Sequence, residues 1–140
     1  IRESFPKEGA YLAKNLQGAL AAISLVSQCA VSTSLINDVA ADMVFAQQVY
    51  GYGRKGDVLI AISTSGKAPN IMNAVRVAKA FGIVVIGLTG GQGGELADLC
   101  DVAIKVPHDR THVIQEMHLP VYHSLCAMIE EEFFASEEDI

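Results

Sequence analysis

The chain has 140 residues, of which 51% are apolar and 19% charged, enough for one domain with a sizeable core and too apolar for wholesale disorder. Its formal net charge is −6, and six of its sixteen acids (Glu130, Glu131, Glu132, Glu137, Glu138 and Asp139) fall in the last eleven residues. The remainder is neutral without a block of Lys or Arg, which argues against a nucleic-acid surface and leaves the acidic end a solubilising role.

In chain order, Ile1–Gln17 has weak helical character and reads as a connection. Four nearly continuous aliphatic runs follow, Leu20–Leu25, Val58–Ile62, Ile83–Leu88 and Val102–Val106, as expected for parallel strands covered on both faces. Helical spacing predicts helices over Val39–Tyr50, Pro69–Phe81, Glu95–Cys100 and Thr111–Phe134, the last kinked or broken at Pro120. Strand–helix–strand alternation implies an α/β architecture around a parallel sheet. No aliphatic run is long enough to span a bilayer, and no charged-then-apolar leader opens the chain. Cys29, Cys100 and Cys126 lack CxxC spacing and are expected as buried thiols in the cytoplasm. With no Trp and nine other aromatics, a stacking platform for single strands is not expected either.

Ligands of open parallel sheets bind beyond the carboxyl ends of the strands. The second run leads into Ser63-Thr64-Ser65-Gly66-Lys67-Ala68-Pro69. Its hydroxyls can donate to phosphate oxygens, and the helix start behind them attracts an anion. The same cluster also suits helix capping without a ligand. Lys67 is equally readable as a phosphate contact or a solvated side chain. Thr89-Gly90-Gly91-Gln92-Gly93-Gly94 fits no dinucleotide fingerprint and reads as a flexible turn. His108 and His112 are expected as exposed loop histidines. His118 and His123 read by default as core histidines, because Gln115 and His123 are separated by eight residues, about 12 Å of helical rise.

Taken together, Asn37-Asp38, Gly53–Asp57, the strand ending in Ser63–Gly66, Leu88–Gly90, Ile114-Gln115-Glu116-Met117-His118 and His123 resemble the phosphoheptose isomerase branch of the SIS (sugar isomerase) domain family. The likeness runs from about Leu20 to Phe134. It implies a flavodoxin-like αβα sandwich, a homotetramer with shared sites, and isomerisation of sedoheptulose 7-phosphate to an aldose heptose 7-phosphate. It assigns substrate binding to Asn37, Asp38, Ser63, Thr64, Ser65 and Gln115, zinc ligation to Gln115 and His123, and an acid/base role to His123, which replaces the core reading of that residue. His118 matches a frequent family histidine and receives no catalytic role. Ala68 departs from the family, which usually has Ser there. The family's first strand, its Gly-Asn-Gly-Gly-Ser loop, and the His and Glu that complete its zinc site have no counterpart here, so the chain is expected to be part of a longer protein. The alternative is a non-catalytic SIS protein that binds a phosphosugar, or an adaptor like the one that associates with the bacterial replication initiator.

Overall fold

β-branched and aliphatic residues dominate the centre of the chain, and three of the expected runs meet there as strands. In the computed structural model, which describes residues 1–135, β1 (Val58–Ile62), β2 (Val84–Thr89) and β3 (Val102–Lys105) form one parallel sheet in the order β1-β2-β3. Ile60 pairs with Ile86, and Ile86 with Val102. The crossovers are α4 (Pro69–Ala80), which begins on Pro69 as sequence required, and α5 (Gly94–Leu99). Ahead of the sheet lie α1 (Gly9–Asn15), α2 (Cys29–Asp38) and α3 (Val44–Tyr52); behind it lies α6 (Thr111–Phe134). This is the α/β parallel-sheet architecture expected.

The period-2 geometry of the strands sends alternate side chains to opposite faces. One face joins Ala61 and Val85 to Val49 of α3, Met72, Val75 and Ala78 of α4 and Leu96 of α5 in a single core. Val75, Val85 and Leu96 are fully excluded from solvent, so truncating Leu96 to Ala would cost about 2–5 kcal/mol. The opposite face departs from the expected double cover. Val58, Ile60 and Ile62 of β1 remain 56, 52 and 48% exposed, and Val84 and Val102 are exposed beside them. α6 reaches this sheet only near its carboxyl edge, through Ile114 and His118, its two buried residues.

Several expectations need correction. Leu20–Leu25 is no strand: it makes no ladder with β1, the edge strand of the sheet, and Leu20 and Ile23 face solvent. An aliphatic run becomes a strand only with a neighbour to satisfy its backbone, and Ala21-Ala22 adds little β preference. The helix expected from Val39 begins at Val44, because Val39 ends α2 and Ala41–Met43 forms a 3-10 turn. α6 runs through Pro120 without a break; Pro120 is exposed, so the carbonyl that loses its N–H partner there can face water. Cys29 and Cys126 are exposed and Cys100 is half-buried, rather than buried thiols, since α2 and α6 present those positions outward. Glu137, Glu138 and Asp139 of the acidic end lie outside the described residues, and no helix among the described residues is long and apolar enough to cross a membrane.

At the start of β2 and β3 one carboxylate joins three elements. Asp101 Oδ2 accepts from the Val85 N–H at 2.8 Å, Oδ1 accepts from Lys79 Nζ of α4 at 2.5 Å, and the Asp101 N–H donates to the Val85 carbonyl at 2.8 Å. The Lys79 ammonium, followed by the Val85 N–H, holds this carboxyl below the ordinary Asp value of 3.8. A carboxyl with a depressed folded-state pKa contributes stability that is complete above its unfolded value and is lost as pH falls through the folded one. Asp101→Asn therefore melts below the parent at pH 7, and thermal scans at falling pH show the two melting points converging below about pH 4.

Candidate functional site

The loops after β1, β2 and β3 lie side by side at the carboxyl edge of the sheet, the position chemistry favours in open α/β folds. Between them opens a groove of about 240 Å³ lined by Thr64, Ser65 and Lys67, by Gly90 and Gln92, and by Asp109 and Ile114. The first loop turns tightly, with the Gly66 N–H donating to the Ser63 carbonyl at 3.0 Å. The Lys67 N–H donates to Ser65 Oγ at 3.2 Å.

Capping does not account for these hydroxyls. The residue before α4 is Ala68, which offers no capping side chain; in the first turn Pro69 has no N–H, the Ile71 N–H donates to Asn70 Oδ1 at 2.9 Å and the Met72 N–H to the Ala68 carbonyl at 3.0 Å. That leaves the Asn70 N–H and the outward hydroxyls able to meet an anion, and Lys67 stands beside them on the groove wall. Ser63 behaves differently from its neighbours: it is 7% exposed and lies behind the loop, leaving Thr64 and Ser65 to face the groove.

The glycine loop after β2 is a packing element rather than the flexible turn expected. Gly66 has φ +62° and Gly93 has φ +77°, a conformation open to glycine at no steric cost. A Cβ on Gly66 would run into the Gly93 carbonyl, and one on Gly94 into the Ser65 and Gly66 carbonyls. The Leu96 N–H donates to the Gly66 carbonyl at 2.9 Å, and the Gly90 N–H to the Thr64 carbonyl at 3.1 Å. The Thr89 hydroxyl completes the join by donating to the Gly93 carbonyl at 3.2 Å.

The nominated residues divide into three groups. Thr64 and Ser65 line the groove, and Gln115 is exposed on α6 next to Ile114, which also lines it. Asn37 and Asp38 are exposed at the end of α2, outside the groove lining, where Ser34 Oγ approaches Asp38 Oδ2 at 3.4 Å. His123 is exposed farther along α6. His118 is the buried histidine, with Nε2 3.2 Å from the Thr89 carbonyl and Nδ1 without a partner. His112 lies inside α6, not in a loop, while His108 Nδ1 accepts from the Arg110 N–H at 3.0 Å. Gln92 and Asp109 line the groove without having been nominated; their position directly after successive strands was the available signal.

The donors on α6 fall short of a zinc site. Zinc takes four ligands in a structural site and three plus water in a catalytic one, whereas Gln115 and His123 are two donors about 12 Å apart along a helix axis. No three His, Cys, Asp or Glu side chains gather to hold a metal among the described residues.

A parallel α/β sheet with a hydroxyl- and glycine-rich groove at its strand ends has the layout in which open α/β domains receive small ligands. A family model described as SIS domain matches residues 3–90, and the chain belongs to that family. It is 42% identical over 124 residues to the phosphoheptose isomerase of Rhodospirillum rubrum, covering 89% of this chain and 65% of the relative. It is 47% identical over 120 residues to that of a Nitratiruptor species, covering 86% and 64%. The solved phosphoheptose isomerase GmhA from Neisseria gonorrhoeae superposes with a TM-score of 0.78 at 43% identity, over 80% of this chain and 62% of the other. The chain thus spans less than two thirds of the length of these relatives.

Gly66→Ala tests the join between the two loops. Strain at positive φ alone costs about 1–3 kcal/mol, and the blocked approach of Gly93 adds to it. The variant is expected to melt lower and to lose inorganic phosphate binding by calorimetry, while Gly51→Ala, whose Cβ would meet nothing within 4 Å, leaves phosphate binding intact.

Proposed function

We propose that the protein is a sugar-phosphate isomerase that interconverts a ketose and an aldose phosphate, with sedoheptulose 7-phosphate as the preferred ketose. The observation that carries this reading is the groove itself: hydroxyls and a lysine beside the start of α4 on one wall, and Ile114 of α6, next to Gln115, on the other. Relatives named phosphoheptose isomerase, alike over most of the chain, support the same chemistry.

The phosphate sits against Thr64, Ser65 and Lys67, held by hydroxyl and ammonium donors remote from the reacting carbons, where binding energy serves orientation. Asp109 and Gln92 face the polyol, since a carboxylate and an amide accept from sugar hydroxyls and the carboxylate repels a second phosphate. Asn37 and Asp38 join the substrate from α2 in the assembled enzyme. Isomerisation moves one proton between adjacent carbons through an enediol and one between their oxygens, with no net oxidation. An imidazole, which can both take up and return a proton, suits that transfer, and His123 is assigned the acid/base role with Gln115 orienting the substrate oxygens.

A zinc-assisted form of the reaction would use Gln115 and His123 as two ligands and needs donors beyond them from a partner subunit or additional chain. The exposed apolar face of the sheet and the outward apolar residues of α6 support a homotetramer that shares its sites. Three free thiols suit a cytoplasmic enzyme. The shortage of metal donors supports one second reading, a phosphosugar-binding or adaptor protein without catalysis.

His123→Asn separates the two. In the isomerase, kcat falls by about 10²–10⁴-fold while circular dichroism and phosphate affinity are unchanged. Wild-type protein that binds the sugar phosphate without turning it over would establish the non-catalytic reading instead. Ser65→Ala is expected to raise KM about 3–10-fold, the loss of one hydrogen bond, with little change in kcat. Metal analysis of the purified protein decides the zinc form: stoichiometric zinc that disappears in His123→Ala supports it, and equal metal content in both proteins removes His123 from the ligand set.

A further inference from the structure

We infer that His118 is a positioning residue, which locks α6 in register with the hydroxyl loop by gripping the Thr89–Gly90 peptide. The consequence for turnover rests on the isomerase reading; the grip itself does not.

Of the histidines on α6, His112 and His123 are exposed and His118 is 3% exposed. Its Nε2 lies 3.2 Å from the Thr89 carbonyl. A carbonyl oxygen only accepts, so Nε2 carries the proton. Nδ1 is buried without a partner. An apolar side chain would fill this position without that unsatisfied nitrogen, so the bond from Nε2 is what the imidazole provides.

The gripped peptide is a junction. Its carbonyl also accepts from the Val106 N–H at 3.0 Å, just beyond β3, and its own N–H, on Gly90, donates to the Thr64 carbonyl at 3.1 Å in the hydroxyl loop. One turn before His118, Ile114 places Cδ1 where a Cβ on Gly90 would sit. Ile114 and His118 are the only buried residues of this 24-residue helix. Among the described residues the His118 bond is the one hydrogen bond between α6 and the sheet. Apolar contact at Ile114 resists separation but tolerates sliding and rotation, whereas a directional bond one turn away fixes both. Gln115 and His123 ride on the same helix, so their distance from Thr64 and Ser65 is set at this peptide.

The test compares His118→Leu, which fills the space without a donor, with His118→Gln, whose amide N–H can reach the same carbonyl. Long-range proton–nitrogen NMR on the wild-type protein is expected to find the His118 proton on Nε2. Exchange of the Gly90 amide should quicken about tenfold or more in His118→Leu, return toward wild type in His118→Gln, and leave the α4 amides unchanged. In steady-state assays His118→Leu should lose at least about tenfold in kcat with competitive inhibition by inorganic phosphate within about twofold of wild type, and His118→Gln should recover most of the loss. A proton on Nδ1, or Gly90 exchange equal in all three proteins, overturns the grip. Unchanged kcat in a folded His118→Leu, or a parallel loss of phosphate affinity, overturns the positioning role. If His118→Leu does not fold, His118→Gln decides, since near-normal kcat and Gly90 exchange there support the bond and their loss refutes it. Wild-type protein without turnover sinks the isomerase reading, and the tautomer and exchange results then decide the grip alone.

Discussion

Everything at the strand ends depends on two backbones approaching more closely than side chains permit. Gly66 and the Gly93-Gly94 pair meet carbonyl to Cα, and the Leu96 amide clasps Gly66 from the start of α5. This contact ties the loop after β1 to the loop after β2, so the hydroxyls of Thr64 and Ser65 face the groove from a supported backbone. A loop held this way would lose little entropy on binding a ligand.

Charge then divides the groove by chemistry. Lys67 and the start of α4 lie together, and Asp109 comes from the loop after β3. A phosphate placed against Lys67 would also lie near the Asn70 N–H and the positive end of the α4 dipole. A phosphate placed against Asp109 would meet like charge, whereas a hydroxyl there would donate. This division of charge would suit an elongated molecule with one anionic and one hydroxylated end, as the proposed substrate has.

Local signals were legible where local physics decides. Pro69 begins α4, and the runs at Val58, Val84 and Val102 pair as strands because each has a neighbour and a helix to cover one face. Leu20–Leu25 carries the same apolar signal without either. α2 was not legible: Cys29–Asp38 is rich in Ser, Thr, Val, Asn and Asp, poor helix formers, and Leu35 is its single buried residue. At the site, Thr64 and Ser65 could be named from composition and position. Gln92 and Asp109 carried only the weaker signal of standing just past successive strands, and that they meet in one groove comes from adjacency of loops distant in sequence. His118 was recognisable as a core histidine, but its bond to Thr89 depends on where α6 crosses the sheet, which no spacing within the helix encodes.

The exposure of α6 bears directly on catalysis. Proton transfer to and from carbon is efficient when water is excluded and donors are fixed, yet Gln115 and His123 both face solvent on a helix of which only Ile114 and His118 are buried. Leu119, Tyr122, Met128, Ile129 and Phe133 add an apolar surface along the same helix, more than a monomer's scattered exposure requires. A second protein surface laid over α6 would bury those side chains and dry His123. The groove and the proposed acid/base residue thus differ in completeness: the groove is built within the described residues, while the proposed role of His123 calls for a drier surrounding than the exposed face of α6 gives it.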